Sequence, residues 1–139
     1  MSVKFEDFSV QVKDALDGAA IAYLHEAAGE VEAQTKRNSR VGKTGQTKNA
    51  WTYVVDESKH EATVGNPLEN AIWEEFGTGE FALKGDGRKG GWYYQDESDG
   101  TWHHTYGKTP HRAFQSAFNS LKNALIKRAQ DIFKERLGR

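Results

Sequence analysis

The chain has 139 residues, 37% hydrophobic and 28% charged, with a formal net charge of −1 and no cysteine. These values suit one domain spanning residues 1–139 and exclude a collagen-like, mucin-like or fully disordered chain. Without cysteine there are no disulfides, thiolate zinc sites or thiol nucleophiles, and near-neutrality gives no general affinity for nucleic acid. The first twelve residues are charged and lack an apolar run, so no signal peptide is expected. No stretch approaches the roughly 18 apolar residues of a membrane span, so no membrane partner is expected.

In chain order, the first element is a long helix from residue 4 to about 35. Phe5, Phe8, Val12, Leu16, Ala19, Ala20, Tyr23, Ala27 and Val31 recur there at spacings of three and four. Ser2 or Asp7 is a candidate cap. Residues 36–48 hold five cations, two glycines and one valine; they read as a flexible basic loop. Residues 51–55 and 61–65 alternate as two strands of a hairpin. Leu68, Ile72 and Phe76 have helical spacing, which predicts a short helix over 67–76. Six glycines in 77–91 mark a loop. Two aromatic strands, 92–95 and 101–105, flank a turn closed by Asp99-Gly100. A last helix follows Pro110, its apolar positions running from Phe114 to Phe133. The expected fold class is α+β: an antiparallel sheet of about four strands in two hairpins, flanked by long terminal helices with one short middle helix. Trp51, Trp73, Phe76, Phe114 and Phe118 are expected in the core.

Charge alternates along the chain. Residues 1–35 carry −5, residues 36–48 carry +5, residues 49–107 carry −7 and residues 108–139 carry +6. Such blocks suit internal pairing or docking against charged partners.

No constellation reads as an active site. Glu74 and Glu75 are neighbours, so on a helix they point about 100° apart and cannot face each other as an acid–base pair. His103 and His104 point to opposite faces of a strand and cannot share a metal ion without distortion. Gly42-Lys43-Thr44 has the end of a phosphate loop, but Arg37 stands where that loop needs its first glycine. No catalytic residue, cofactor or metal is expected. A basic loop (Lys36, Arg37, Arg40, Lys43, Lys48) beside an aromatic strand (Trp51, Tyr53) is the one competing design, a small nucleic-acid-binding module aided by the C-terminal cations.

Three blocks carry a resemblance. The first is Thr44-Gly45, followed by Ala50-Trp51. The second runs from Val64-Gly65 through Ala71-Ile72-Trp73-Glu74-Glu75-Phe76-Gly77-Thr78-Gly79. The third is Pro110-His111-Arg112-Ala113-Phe114 with Ala117-Phe118. In this order, over about residues 40–135, they resemble the HK97 gp10-like family of tailed-phage neck and tail-completion proteins, also described as tail components or minor capsid proteins. The chain departs from the family pattern at Asn70, where tyrosine is usual, and at Ala113, where proline is usual. The resemblance implies a structural virion protein without catalysis, a ring-forming subunit that acts in head–tail joining. Its expected partners are copies of itself, in a hexamer, the connector or stopper, and the tail terminator or tail tube. Genomic DNA would pass through the lumen without specific binding. Its expected location is the virion neck or tail, and the host cytoplasm during assembly. The residues expected at contacts are Lys36, Arg37, Arg40, Lys43 and Lys48, facing Glu69, Glu74, Glu75 and Glu80 of a neighbour. Thr44, Gly45, Trp51, Trp73, Glu75, Phe76, Gly77, Thr78, Pro110 and Phe114 are expected to be structural.

Overall fold

A computed structural model describes residues 7–42 and 44–136. Its first helix, α1 (Ser9–Asn38), has 30 residues and is about 45 Å long. Asp7 accepts the N–H of Ser9 at 2.9 Å, and that bond holds its carboxyl below the ordinary range. Ser2 and Phe5 lie outside the described residues. The helix continues past residue 35 into the segment expected to be a loop. Lys36 and Arg37 form its last turn, where cations suit the helix dipole. Local pairs prolong it, Lys36 with Glu32 at 2.9 Å and Gln34 with Asn38 at 2.9 Å. A run without apolar residues can thus remain helical through bonds four residues apart. At the other end of the basic segment, α2 (Gln46–Asn49) is one further helical turn, entered through Gly45 at φ 66°.

Strands β1 (Thr52–Asp56) and β2 (Glu61–Gly65) pair antiparallel, with Val54 opposite Thr63. Asp56 closes their turn by accepting the Ser58 hydroxyl at 2.7 Å and the Lys59 N–H at 3.1 Å. Then come α3 (Glu69–Phe76) and a single 3-10 turn, Gly79–Phe81, inside the glycine loop. Strands β3 (Trp92–Gln95) and β4 (Trp102–Thr105) form the second hairpin, and α4 (Ala113–Arg136) is the last described element. The α+β class and the four strands in two hairpins match the sequence pattern. The hairpins form two separate two-stranded sheets that do not join edge to edge.

The main packing is α1 against α4, with the β1–β2 hairpin on α1. Tyr23 of α1 donates to the Leu125 carbonyl of α4 at 2.7 Å, and Arg128 reaches Glu26 at 3.3 Å. The Tyr53 ring of β1 packs on α1 at Gly29, 3.8 Å from where a Cβ would lie. The buried apolar residues are small: Ala19, Ala28 and Val31 on α1, Ala71 on α3, and Ala113 and Ala117 on α4. This corrects the expected aromatic core. Trp51 and Phe114 are half-buried, and Trp73, Phe76 and Phe118 are exposed. The fully buried positions are filled by small side chains, and these rings lie at their margins.

The surface is correspondingly large. A compact 15.6 kDa chain exposes about 7,200 Å². This one exposes 10009 Å², more than about a third above that expectation. Every residue from 7 to 15 is exposed, so the first turns of α1 project beyond the packed body.

Two outcomes follow. Ala117 is fully buried, so Ala117→Leu should overpack the seam and cost about 1–3 kcal/mol in urea unfolding. Asp56 is held below its ordinary 3.8, first by the Ser58 hydroxyl and then by the Lys59 N–H. Its stabilisation of the turn is therefore complete above that value and is lost as pH falls through the lower folded value. An NMR titration should find the midpoint below 3.8, and Ser58→Ala should raise it.

Candidate functional site

The second sequence block folds where three other parts of the chain converge. These are the end of α1, the segment 106–112 and the start of α4. The His111 N–H donates to the Glu74 carbonyl at 2.7 Å. The His111 Nε2 lies 2.7 Å from the Asn38 carbonyl, which only accepts, so Nε2 carries the proton. The Asn38 side chain in turn donates to the Ala113 carbonyl at 3.3 Å.

Glu75 is the centre of this arrangement and is buried. Its Oε1 accepts the N–H of Phe114 at 2.9 Å, and its Oε2 accepts the N–H of Gln115 at 3.3 Å. These are the second and third residues of α4, whose amides have no partner within the helix. Caps of this kind normally come from the residue just before the helix. Here that residue is Arg112, which has no side-chain acceptor, so α3 supplies the carboxylate. Arg112 sits at φ 58° and packs back on the same group. Its Nε lies 3.5 Å from Glu75 Oε2, and its Nη1 donates to the Glu75 carbonyl at 3.2 Å. The positive end of the helix dipole and one guanidinium thus share one carboxylate.

Glu74 lies beside it, ion-paired with Lys108 and 3.8 Å from Arg40 Nε. Arg40 also reaches the Thr109 carbonyl at 3.4 Å. Arg40, Lys48, Glu74, Glu75 and His111 border a cavity of about 20 Å³. The Phe76 ring has Lys84 and Arg112 each 5.1 Å from its centroid. Trp51 stacks on Phe114 at 5.7 Å with the rings 9° from parallel, joining the first and third sequence blocks.

After α3 the backbone pairs with residues 106–108. The Thr78 N–H donates to the Lys108 carbonyl at 2.9 Å, and the Lys108 N–H returns to Thr78 Oγ1 at 2.9 Å. The Glu80 N–H donates to the Tyr106 carbonyl at 2.9 Å. Gly77 and Gly79 have φ of 77° and 61°. A Cβ on Gly77 would lie 2.9 Å from the Lys108 and Phe81 carbonyl oxygens and from the Pro110 ring, and one on Gly79 would enter the Tyr106 carbonyl. Glycine is therefore required here by both dihedral angle and space.

The residues singled out in the sequence do not form one surface. Lys36 pairs with Glu32, and Arg37 holds Gln34 at 2.7 Å, both within α1. Lys43 lies outside the described residues. Lys48 is half-buried in α2, Glu69 is exposed in the first turn of α3, and Glu80 accepts the Gly90 N–H at 3.1 Å. Thr44 Oγ1 accepts the Gln46 N–H at 3.2 Å and starts α2. Sequence reasoning missed Lys108, His111 and Arg112 as partners of the glutamates. Pro110 just before the third block was the available signal, since it marks an irregular approach to a helix.

Asp96, Asp99 and His103 also bring three potential ligand atoms within 4.8 Å of one another in the β3–β4 turn. Their atoms serve the turn itself: Asp96 accepts from Ser98 at 2.6 Å, Asp99 accepts from Thr101 at 2.7 Å, and His103 Nε2 lies 2.7 Å from the Thr101 hydroxyl.

Glu75→Ala should remove the cap and strand the Arg112 charge. We expect a loss of about 2–3 kcal/mol in denaturant unfolding, against about 1 kcal/mol for Glu75→Gln, which keeps an acceptor. Equal losses would show that the carboxylate charge is immaterial.

Comparison with known proteins yields one family model, "Bacteriophage HK97-gp10, putative tail-component", which matches residues 4–77. No curated protein and no solved structure matches the chain. The matched segment contains the first sequence block and the second as far as Gly77; the third lies beyond it and is joined to it by the Glu75 cap. The chain belongs to the HK97-gp10-like family, whose members are described as bacteriophage tail components.

Proposed function

We propose that this chain is a non-enzymatic structural subunit of a long-tailed phage virion, forming a closed ring of its own copies, six by expectation, at the head–tail junction. The observation that carries this reading is the surface. The chain exposes 10009 Å², an excess of about 2,800 Å² over a compact chain of its mass. A ring subunit has two neighbours, and an excess of this size leaves room for two interfaces of the permanent class. A closed ring uses heterologous contacts between two different patches. The alternating charge blocks, −5, +5, −7 and +6, supply patches of opposite sign. Glu74 and Glu75 hold cations of their own chain. Contacts with a neighbour therefore fall to other groups, among them Lys48, Glu69 and Glu80.

In this reading the ring lies between the connector or stopper and the tail terminator or tube, and DNA crosses its lumen without specific contacts. The nucleic-acid alternative loses its aromatic platform, because Trp51 is stacked on Phe114 and Tyr53 packs against α1. Among the described residues no helix is long and apolar enough to cross a membrane.

The test is an amber codon in place of Trp51 in the parent phage, followed by electron microscopy of the lysate. Full heads apart from tails, or tails with abnormal ends, are the expected result. Normal infectious virions in the verified absence of the protein would overturn the reading.

A further inference from the structure

The β3–β4 hairpin has little of its own chain to lean on. Its strands pack chiefly on each other, and a two-stranded hairpin alone is marginal in water. Pairing of Tyr93 with His104 and of Gln95 with Trp102 puts these four side chains on one face. The opposite face turns towards the chain body at its base: Trp92 is half-buried, carries Arg88 at 5.5 Å, and lines a depression with Trp73 and Phe76. The first face points outward. Tyr93 is 72% exposed, Trp102 68% and Tyr106 51%, and His104 touches Tyr93 and Tyr106 with centroids at 4.7 and 4.9 Å. Exposed aromatics in a cluster are typical anchors of protein interfaces. The residues from 92 to 105 include Asp96, Glu97 and Asp99 and no lysine or arginine. A phosphate backbone would be repelled by that tip, whereas a cationic protein surface would be drawn to it.

The same chain carries such a surface. Helix α4 has two apolar sectors. One faces α1 and includes Ala117. The other holds Phe118 and Ile126 and ends at Phe133, exposed at 44%, 55% and 54%; Phe133 also borders the groove between the helices with Leu16, Ala19 and Ile132. Lys122 falls in the same stripe, four residues from Phe118 and four from Ile126. Between Ala113 and Arg136 the helix bears five cations and two acids; Lys127 pairs with Asp131 and Arg128 with Glu26, and Lys122 is the cation inside the stripe. The stripe is about 22 Å long, and the hairpin from Trp92 to its tip at Ser98 extends about 20 Å.

We propose that the outer aromatic face of the β3–β4 hairpin of one copy docks on the Phe118–Ile126–Phe133 stripe of α4 in the next copy, with its acidic tip against the α4 cations. The contact is heterologous, as a closed ring requires, and it covers both exposed faces in one step. It rests on the ring reading above.

The chain has no cysteine, so an engineered disulfide has no background. Chains carrying Trp102→Cys are mixed with chains carrying Ile126→Cys, and both concentrated protein and purified particles are oxidised. The expected product is a mixed dimer, absent when Val54→Cys, on the exposed side of β1, replaces Ile126→Cys. Lys122→Glu should reduce the crosslink about tenfold, and Glu97→Lys on the hairpin partner should restore it. Four results would overturn the proposal. Dimers of W102C chains with each other would mean that hairpins meet hairpins. A W102C crosslink to a different virion protein would assign the hairpin to that protein. A ring seen by electron microscopy with no W102C–I126C product would remove the hairpin contact but leave the ring. Monomers at every concentration, together with normal virions from the amber phage, would remove both.

Discussion

One carboxylate holds the tertiary structure together. Glu75 stands at the end of an eight-residue helix and binds the first free amides of a 24-residue one. The demand for it arises in α4 itself, because a helix N-terminus must place its unpaired N–H groups somewhere. Arg112 cannot take them, and its left-handed backbone instead brings its guanidinium round to the same carboxylate. The strap of Gly77, Thr78 and Gly79 on residues 106–108 then fixes the approach of the two helices. Because α4 is the main partner of α1, the orientation set by this cap extends to the long helix pair.

That pair gains less from burial than its length suggests. Its fully buried positions are alanines with Val31 and Thr35, so each removes little apolar area from water. The aromatic rings, which would contribute most, lie at the rim or on the surface. A chain built this way leaves much of its apolar surface unburied, which the proposed assembly would cover. This is consistent with a subunit whose ordering and assembly are coupled, and with a family described as tail components.

Charge is divided in the same manner. The acids nearest the fold's centre, Glu74 and Glu75, are matched to Arg40, Lys108 and Arg112 across the chain. The acids of the β3–β4 tip and the cations of outer α4 lie on separate elements that do not pack on each other in any extended way. The charges paired around Glu74 and Glu75 hold one geometry; in the contact proposed above, those of the tip and of α4 would steer the partner.

Much of this was legible in the sequence, and the missing part has a common cause. Alternation and helical spacing located the four strands and the three longer helices to within a few residues, but not the single turn of α2, since those patterns are set by the local geometry of each longer element. The glycines at 77 and 79 were readable as backbone requirements for a similar reason. The end of α1 was misplaced because polar residues extend a helix through pairs four apart, which an apolar pattern does not register. Burial could not be read from residue type: Trp73 and Phe76 look like core until the fully buried positions prove to be filled by small side chains. Nor could the roles of the glutamates, since Glu74 and Glu75 differ in function only through what the segment 108–115, more than thirty residues away, presents to each. The sequence by itself determined the longer elements, the family and the charge blocks, all of which are local properties of the chain. Only the tertiary structure decided which charges neutralise one another and which aromatic faces stay bare, because both depend on distances between residues far apart in the chain.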